Sequence, residues 1–500
     1  MTALPPSARP PLPQRYRACH VDRVAPSVIL LGISALLSNA KTRWGRLQRY
    51  SLFVGFLIVA LCMFVSCVVR PVPKPAPNPT TTTLQSNWPA FFNGEYVTIL
   101  GTAIQPNGNV LVTGAHYGVA TICGASTGFQ GQYHAFLANL SPAGHCLWVT
   151  RRTRGDAYGR RIAVAPSGEI YWAGEECNEC RPGNLFLERL DPQGRTEWNL
   201  SASALEVSPT ALIVTDKGPA LSLRFRGTLT IRGSDNSYEL ETNDDHDDAS
   251  VLQFLSDGVL TGLTQFGGPD DDLITALAPL PNGQLLATGE VAATTICDRP
   301  AGSPPATDAF VARFKDGKLE NCRVLRARND DSTNPSNRSR GEAIATDPFG
   351  SFVVAGTYRG DFPIADPDPP WHHREDTDIH IESNSFVASY NALFWLHWAQ
   401  RVKHDGTRPS GVAIDGREVI VTIETPAQVL RYSGKGEILW SRWVKESTLE
   451  VLSASSCGTI LVAGSNTCSL VQGDGPRRQC GFASIINRKG LLEDVACRRQ

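Results

Sequence analysis

Residues 274–289 read ITALAPLPNGQLLATG, and two patterns in this stretch decide the fold. A short apolar segment leads into Asn282-Gly283, and a second apolar run leads from there to Gly289. Asn-Gly between two apolar runs is typical of a hairpin turn, and alternation with a period of two residues indicates strands. The stretch therefore predicts two antiparallel strands joined by a tight turn.

The same pattern occurs seven times along the chain. Clear copies read NGNVLVTG from Asn107, SGEIYWAG from Ser167, FGSFVVAG from Phe349 and CGTILVAG from Cys457. Two degraded copies begin at Lys217 and Asp415, and in the last of these Thr422 stands where the second glycine is expected. The predicted turn glycines are Gly108, Gly168, Gly218, Gly283, Gly350, Gly416 and Gly458. Such a period indicates a repeat architecture.

A second pair of strands follows the hairpin in each repeat. In DAFVARFKDG (308–317), Phe310, Ala312 and Phe314 fall on one face of a strand, and a turn and another strand follow. Each repeat unit therefore has four antiparallel strands. We expect an all-β fold, a seven-bladed β-propeller of four-stranded antiparallel blades over residues 98–497. A solenoid of seven β units is the alternative.

Three segments precede the repeats. Residues 1–50 form an N-terminal extension, expected to be disordered or to reflect a mis-called start. Residues 51–69 carry no charge and follow a basic flank, and at about 1.5 Å per residue such a helix nearly crosses a ~30 Å hydrocarbon layer. Residues 70–97 are a linker and lead-in, rich in proline and threonine at its start. The positive flank predicts that the chain beyond it lies outside the cytoplasm.

The apolar run ends in FVSC, which resembles the lipobox of bacterial lipoprotein signals. The resemblance implies that Cys67 is lipidated. An uncleaved signal anchor is the other interpretation, and Phe64 stands where the lipobox usually has leucine. Either interpretation places residues 84–500 in the bacterial cell envelope, as an outer-membrane lipoprotein or as a membrane-anchored protein.

Ten cysteines follow Cys67, and an even number in an exported domain favours disulfides. Cys123 and Cys297 follow the second strand of units 1 and 4. Cys146 and Cys322 lie in the fourth strands of the same units, which predicts the pairs 123–146 and 297–322. The last four cysteines allow three pairings, and the set expected for the other six is Cys177–Cys180, Cys468–Cys497 and Cys457–Cys480.

No metal site and no cofactor are predicted. The C-x-x-C at Cys177 has no second pair of ligands to complete a zinc site. The weak metal candidates are His372, His373, Asp244 and Asp245, whose spacing fits no established ligand pattern.

The unit reads approximately aiaxdxxGnvyvtG, then DaFvaklxxxGxxlW, and residues 266–290 followed by 308–317 give the best copy. This consensus resembles the SBBP-type β-propeller repeats of bacterial cell-surface proteins and lipoproteins. The resemblance covers about residues 98–497. It implies the propeller fold and says almost nothing about function.

The long loops indicate where a ligand would bind. In such a blade the loops between strands 2 and 3 and between blades open on one face, and the long segments 241–248, 326–341 and 360–383 fall there. Long loops on a rigid scaffold usually carry binding. Packing between blades is the expected role of Trp148, Trp172, Trp198, Trp395, Trp398, Trp440 and Trp443.

The expected function is a monomeric binding module for a surface protein or a glycan, held at the membrane by a lipid or an N-terminal anchor. A net charge of −2 gives no reason to expect a nucleic-acid partner. The alternatives are an extracytoplasmic hydrolase or lyase with its site at the channel mouth, and a structural envelope protein. A non-enzymatic role is preferred because no nucleophile motif or interpretable carboxylate pair is present.

Overall fold

The computed structural model describes most of the repeat region. The described residues are 90–127, 131–153, 155–177, 183–232, 237–242, 246–267, 271–292, 307–325, 338–359, 384–402, 407–424, 427–444, 447–454, 460–468 and 478–486. The predicted extension, apolar segment and Cys67 lie outside them. Within these ranges no helix has the length and apolar character needed to cross a membrane.

All but one of the described elements are β-strands, the exception being a single 3-10 turn at Pro281–Gly283. Units 1 and 2 comprise β1 Ala90–Ile104, β2 Val110–Ile122, β3 Ala125–Thr127, β4 Tyr133–Leu140, β5 Cys146–Arg152, β6 Asp156–Val164, β7 Ile170–Cys177, β8 Gly183–Leu190 and β9 Thr196–Ala204. Units 3 and 4 comprise β10 Glu206–Val214, β11 Pro219–Arg226, β12 Thr228–Arg232, β13 Ser237–Glu241, β14 Asp248–Phe254, β15 Leu260–Phe266, β16 Leu273–Pro279, β17 Leu285–Ala292, β18 Thr307–Lys315 and β19 Lys318–Leu325. Units 5 to 7 comprise β20 Arg338–Thr346, β21 Phe352–Arg359, β22 Asn384–Tyr390, β23 Leu396–Val402, β24 Pro409–Asp415, β25 Glu418–Ile423, β26 Gln428–Tyr432, β27 Ile438–Trp443, β28 Ser447–Ala454, β29 Ile460–Cys468 and β30 Arg478–Ile486.

The strands form antiparallel sheets in the order in which they occur in the sequence. Units 3 to 6 each contribute a four-stranded sheet, with the orders β10-β11-β14-β15, β16-β17-β18-β19, β20-β21-β22-β23 and β24-β25-β26-β27. The second and third strands are buried along nearly their whole length, whereas fourth strands such as β27 are mostly exposed. The fold is therefore all-β and propeller-like, with sheets that pack against one another on both faces.

One long connection adds strands that the repeat pattern does not predict. β12 and β13 form a hairpin between the second and third strands of unit 3. This hairpin pairs with β9 of the preceding unit, with Thr230 opposite Ser203. The sheet of unit 2 consequently has six strands, since β12 adds to it beside β9 and β13 follows β12. Leu229 and Ile231 of β12 are buried by this pairing.

Units 1 and 7 share one sheet, in the order β28-β29-β30-β1-β2-β4-β5. The start of β1 pairs with β30, with Ala90 opposite Ala483 and Phe92 opposite Gly481. From Asn93 onward the other edge of β1 pairs with β2 over a much longer register, and Tyr96 still lies opposite Gln479 of β30. β1 thus begins eight residues before position 98, inside the span predicted as a lead-in, and joins the first unit to the last.

Every first strand contains a β-bulge at the same place. One extra residue interrupts the pairing of the first strand with the second in all seven units. The extra residue lies eight positions before the turn glycine in six units, as with Leu100 and Gly108, and six positions before it in unit 6. The bulge residues are Leu100, Arg160, Thr210, Thr275, Glu342, Ser410 and Glu450.

The bulge explains the second glycine of the repeat. A Cβ at Gly289 would lie 1.8 Å from the carbonyl oxygen of Leu273, and one at Gly114 would lie 1.9 Å from that of Thr98. Only glycine allows the first strand to approach this closely. In unit 6 Ile423, rather than Thr422, pairs with the residue before the bulge, so the predicted position of the lost glycine was off by one.

The turn glycines adopt the left-handed backbone conformation that their role requires. The six described turn glycines have φ between +66° and +150°, and Gly458 lies outside the described residues. The glycine pattern therefore confirms the predicted hairpin turns at Gly108, Gly168, Gly218, Gly283, Gly350 and Gly416.

Tryptophans connect neighbouring sheets, as predicted for several of them. Trp148 in unit 1 donates its Nε1–H to the carbonyl of Pro192 in unit 2, at 3.3 Å. Trp198 in unit 2 repeats this contact with Ser256 in unit 3, at 3.0 Å. The prediction was wrong for Trp395, which is 70% exposed in the turn between the last two strands of unit 5.

The cysteine predictions are tested only in part. Cys123 and Cys146 form a disulfide with a Cα–Cα distance of 5.4 Å, and this bridge closes the loop between the second and fourth strands of unit 1. Cys322 is also disulfide-bonded, whereas Cys297 lies outside the described residues. The other predicted pairs, Cys177–Cys180, Cys468–Cys497 and Cys457–Cys480, each include at least one cysteine outside them and stay predictions.

Replacing Gly289 by alanine should destabilise the fold because the new Cβ meets a backbone oxygen that cannot rotate away. We expect the free energy of unfolding to fall by about 3 kcal/mol or more, measured by denaturant titration. Gly183→Ala is the matched control, since its Cβ would have no neighbour closer than 3.3 Å. Equal losses in the two variants would contradict the proposed role of the second glycine.

Two histidines form a buried cross-strand pair in unit 1. His116 on β2 lies opposite His134 on β4, with 5.3 Å between ring centroids and no exposed surface on either residue. Nδ1 of His116 donates a hydrogen bond to the carbonyl of Gly118, at 3.0 Å. Burial and the neighbouring His134 lower the pKa of His116 from 6.5 to about 4.

This pair should make stability depend on pH. The folded protein holds His116 neutral, whereas the unfolded chain binds a proton near pH 6.5, so stability is complete above that pH and is lost towards pH 4. The loss should be about 3 kcal/mol. His116→Phe should reduce the difference between denaturant titrations at pH 7.5 and pH 4.5, and the exposed His145→Gln should not. A wild-type difference that persists in His116→Phe would refute this assignment.

Candidate functional site

The described part of the chain contains a polar cavity of about 420 Å³. Its walls come from the first strands of units 1 to 6, namely β1, β6, β10, β16, β20 and β24. Six bulge residues line it, because a bulge turns the extra side chain out of the regular alternation: Leu100, Arg160, Thr210, Thr275, Glu342 and Ser410. The cavity therefore collects one variable position from each of these units.

One wall holds a buried carboxylate between two guanidinium groups. Oε2 of Glu342 lies 3.4 Å from Nε of Arg340 and 3.1 Å from Nη2 of Arg408, and only 5% of its side chain is exposed. Burial raises the pKa of Glu342, and the two arginines oppose that rise. The result is a carboxyl group poised to hold a proton at a higher pH than an exposed glutamate.

Two further carboxylates balance this wall. Glu290 on β17 lies 3.4 Å from Nη1 of Arg340, and Glu424, just after β25, lies 3.7 Å from Nη1 of Arg408. Each arginine of this wall thus has two carboxylate partners. The network links units 4, 5 and 6.

The facing wall is formed by unit 2. Arg160 donates its Nε–H to Glu175 at 3.0 Å and lies over the ring of Tyr158, 5.3 Å from the centroid. Its neighbour Arg161 has a different environment, because its hydrogen bonds go to backbone carbonyls instead of carboxylates. Arg160 therefore connects the polar cavity to an aromatic surface.

That surface is a cluster of four tyrosines, which we call the tyrosine cluster: Tyr96, Tyr117, Tyr133 and Tyr158. Tyr133 is central, with ring centroids 5.0 Å from Tyr117, 5.0 Å from Tyr158 and 6.1 Å from Tyr96. All four rings are at least partly exposed. They belong to β1, β2, β4 and β6, at the end of the sheets where the loops between strands 2 and 3 begin.

Hydrogen bonds and burial fix this cluster in place. The backbone N–H of Tyr133 donates to Oδ1 of Asp156 at 2.7 Å, which ties unit 1 to unit 2. Burial, followed by the nearby Tyr133 and Asp156, raises the pKa of Tyr158. The phenol therefore stays protonated and can donate a hydrogen bond at all ordinary pH values.

The predicted metal candidates receive no support from the described residues. His372, His373, Asp244 and Asp245 lie outside them, and no group of three or more histidine, cysteine or acidic side chains within them could hold a metal ion. The adjacent Asp247 instead accepts hydrogen bonds from Arg224 (3.1 Å) and Arg226 (3.0 Å). This end of the acidic segment thus forms ion pairs within unit 3.

The charged cavity residues were missed by sequence reasoning. Arg160, Glu342 and their neighbours occur in short segments that look like ordinary strands. The available signal was the fixed distance to the turn glycine: aligning the units on that glycine brings the bulge residues of six units into one column with mixed polarity. Of the predicted long loop 326–341, residues 338–341 belong to β20, whereas residues 326–337 and the predicted loop 360–383 lie outside the described residues.

Comparison of the chain with protein-family models finds no match, and none of the curated proteins matches it. The resemblance to SBBP-type repeats therefore stays a prediction. The function has to be argued from the tyrosine cluster and the polar cavity.

Proposed function

We propose that this chain is an envelope-tethered, seven-bladed β-propeller that binds a glycan at the tyrosine cluster and the adjoining mouth of the polar cavity. The single observation that carries the proposal is the continuity of the two features through Arg160, which lines the cavity and lies over Tyr158.

Seven blades and a closed ring are supported by contacts between first strands. Each first strand packs against the next along the chain, and β28 of unit 7 packs against β1. The pairing of Ala90 with Ala483 adds a strand from the start of the domain to its last sheet. Closure of this kind leaves no long free sheet edge between the first and last blades.

A glycan suits the chemistry of the surface better than a protein does. Sugars present apolar C–H faces and hydroxyl edges, and the tyrosine cluster offers ring faces together with phenol groups that donate hydrogen bonds. The cavity volume of about 420 Å³ falls within the range usual for small-molecule sites. A flat protein partner would leave the polar cavity unfilled.

The test is a binding measurement on an array of bacterial cell-surface polysaccharides and peptidoglycan fragments with the full chain. Tyr96→Ala and Tyr117→Ala should each weaken the tightest interaction about tenfold, since each removes an aromatic contact. Trp395→Ala is the control, because it removes an exposed aromatic ring from the opposite end of the sheets. Absence of glycan binding, or equal loss in the control, would reject the proposal.

A second candidate is a glycan-cleaving hydrolase or lyase. The observation in its favour is Glu342, a carboxyl group with raised pKa that lines the cavity and could act as a general acid or base. The array experiment separates the two candidates. Products released from the bound glycan by the wild type, and not by Glu342→Gln, would establish the enzyme, whereas an intact ligand supports the binding module.

The tether is proposed from the N-terminal sequence. We expect mass spectrometry of the native, membrane-extracted protein to find an acyl adduct on Cys67 as the first residue, because thioether-linked lipid accompanies lipobox processing. Reduced and non-reduced samples of the same preparation serve as the comparison for disulfides. An unmodified Cys67 with residues 1–66 still attached would show a signal anchor instead.

A further inference from the structure

Arg161 occupies a position that the fold gives to small residues. It follows the bulge of unit 2, and the same register position holds glycine, alanine or valine in the other six units: Gly101, Ala211, Ala276, Ala343, Gly411 and Val451. The propeller repeat therefore does not require a long cationic side chain there. A role in ligand binding would account for it.

Backbone carbonyls of three consecutive bulges fix the guanidinium group. Nε of Arg161 donates to the carbonyl of Thr210 at 2.5 Å, and Nη1 donates to those of Leu100 and Arg160, each at 3.0 Å. These bonds join units 1, 2 and 3 and use three of the five guanidinium N–H groups. The two remaining N–H groups are on Nη2.

Among the side chains that the structure describes, Arg161 is also the cavity arginine without a carboxylate partner. Arg160, Arg340 and Arg408 each have at least one glutamate within 4 Å, whereas within the described ranges Arg161 has hydrogen bonds to carbonyls alone. Burial, and then the neighbouring Arg160, lower the pKa of Arg161 to about 10, so its positive charge is partly desolvated and still present at neutral pH. A partly desolvated charge of this kind is stabilised by a counter-ion.

We propose that the polar cavity binds a small organic anion, whose carboxylate accepts hydrogen bonds from Nη2 of Arg161. The cavity of about 420 Å³ is much larger than the ~30 Å³ that a water molecule occupies, so it accommodates a hydroxy acid of the size of a sugar acid. The polar side chains of the other bulges, among them Thr275 and Ser410, line the same space and suit hydroxyl groups on the ligand.

The first experiment compares two probes that share a ring and differ in charge. Isothermal titration calorimetry of the full chain with D-glucuronate and with D-glucose should show glucuronate binding at least about tenfold more tightly. Raising the salt concentration should weaken the binding of glucuronate and leave the binding of glucose unaffected. Equal affinities, or no binding of glucuronate at millimolar concentration, would overturn the proposal.

Variants of Thr210 then test whether the guanidinium group of Arg161 binds the carboxylate, and they leave the arginine in place. Thr210→Glu introduces a carboxylate on the residue whose own carbonyl accepts the hydrogen bond from Arg161, so this carboxylate should occupy Nη2 and abolish the preference for glucuronate. Thr210→Gln has nearly the same shape without the charge, so any effect of the longer side chain on the cavity should lower the affinities for glucuronate and glucose alike, and their ratio should stay as in the wild type. Arg161→Gln should also lose it, and a melting temperature close to that of the wild type would show that it folds. Retention of the preference in Thr210→Glu, or in a folded Arg161→Gln, would overturn the assignment to this guanidinium.

Discussion

The close approach of the first strand to the second in each unit is the constraint on which the rest of the structure depends. At Gly289 and Gly114 a carbonyl oxygen of the first strand occupies the space that a side chain would need. The approach is possible because each first strand carries a bulge just beyond this point, and the bulge turns its extra residue away from the sheet. The second glycine and the bulge are therefore one device, which units 1, 2, 4, 5 and 7 share.

Because of this device, the residues that stabilise the fold are different from the residues that line the cavity. The second and third strands are buried on both faces along nearly their whole length, so they leave little freedom for new chemistry. The bulge residue contributes little to that core, and its side chain can vary from leucine to arginine to glutamate. A cavity with two different charged walls can thus form on a scaffold whose repeats are otherwise alike.

The two units that lack the second glycine still contain the bulge. Units 3 and 6 lack the second glycine, and in both a proline, Pro209 or Pro409, stands before the bulge opposite a large residue. In unit 6 the carbonyl of Arg408 accepts a hydrogen bond from the backbone of Glu424 at 2.8 Å. Proline restricts the residue before it to extended conformations. In unit 6 the carbonyl of that residue, Arg408, is therefore directed to the backbone N–H of Glu424. The loss of glycine in these units is consistent with their backbone and does not indicate decay of the repeat.

The sequence by itself determined the all-β class, the hairpin turns and the Cys123–Cys146 bridge, because turn residues, period-two alternation and matched cysteine positions act over a few residues within one unit. The bulges, the β12–β13 hairpin on the neighbouring sheet and the pairing of β1 with β30 were decided by the tertiary structure. The hairpin and the β1–β30 pairing depend on contacts between units, and a bulge is recognised only once the register of two paired strands is known. The same holds for the site: Glu342 is far from Arg161 in the chain, and the four tyrosines come from four strands of two units, so only the packing of the units brings these charges and rings together.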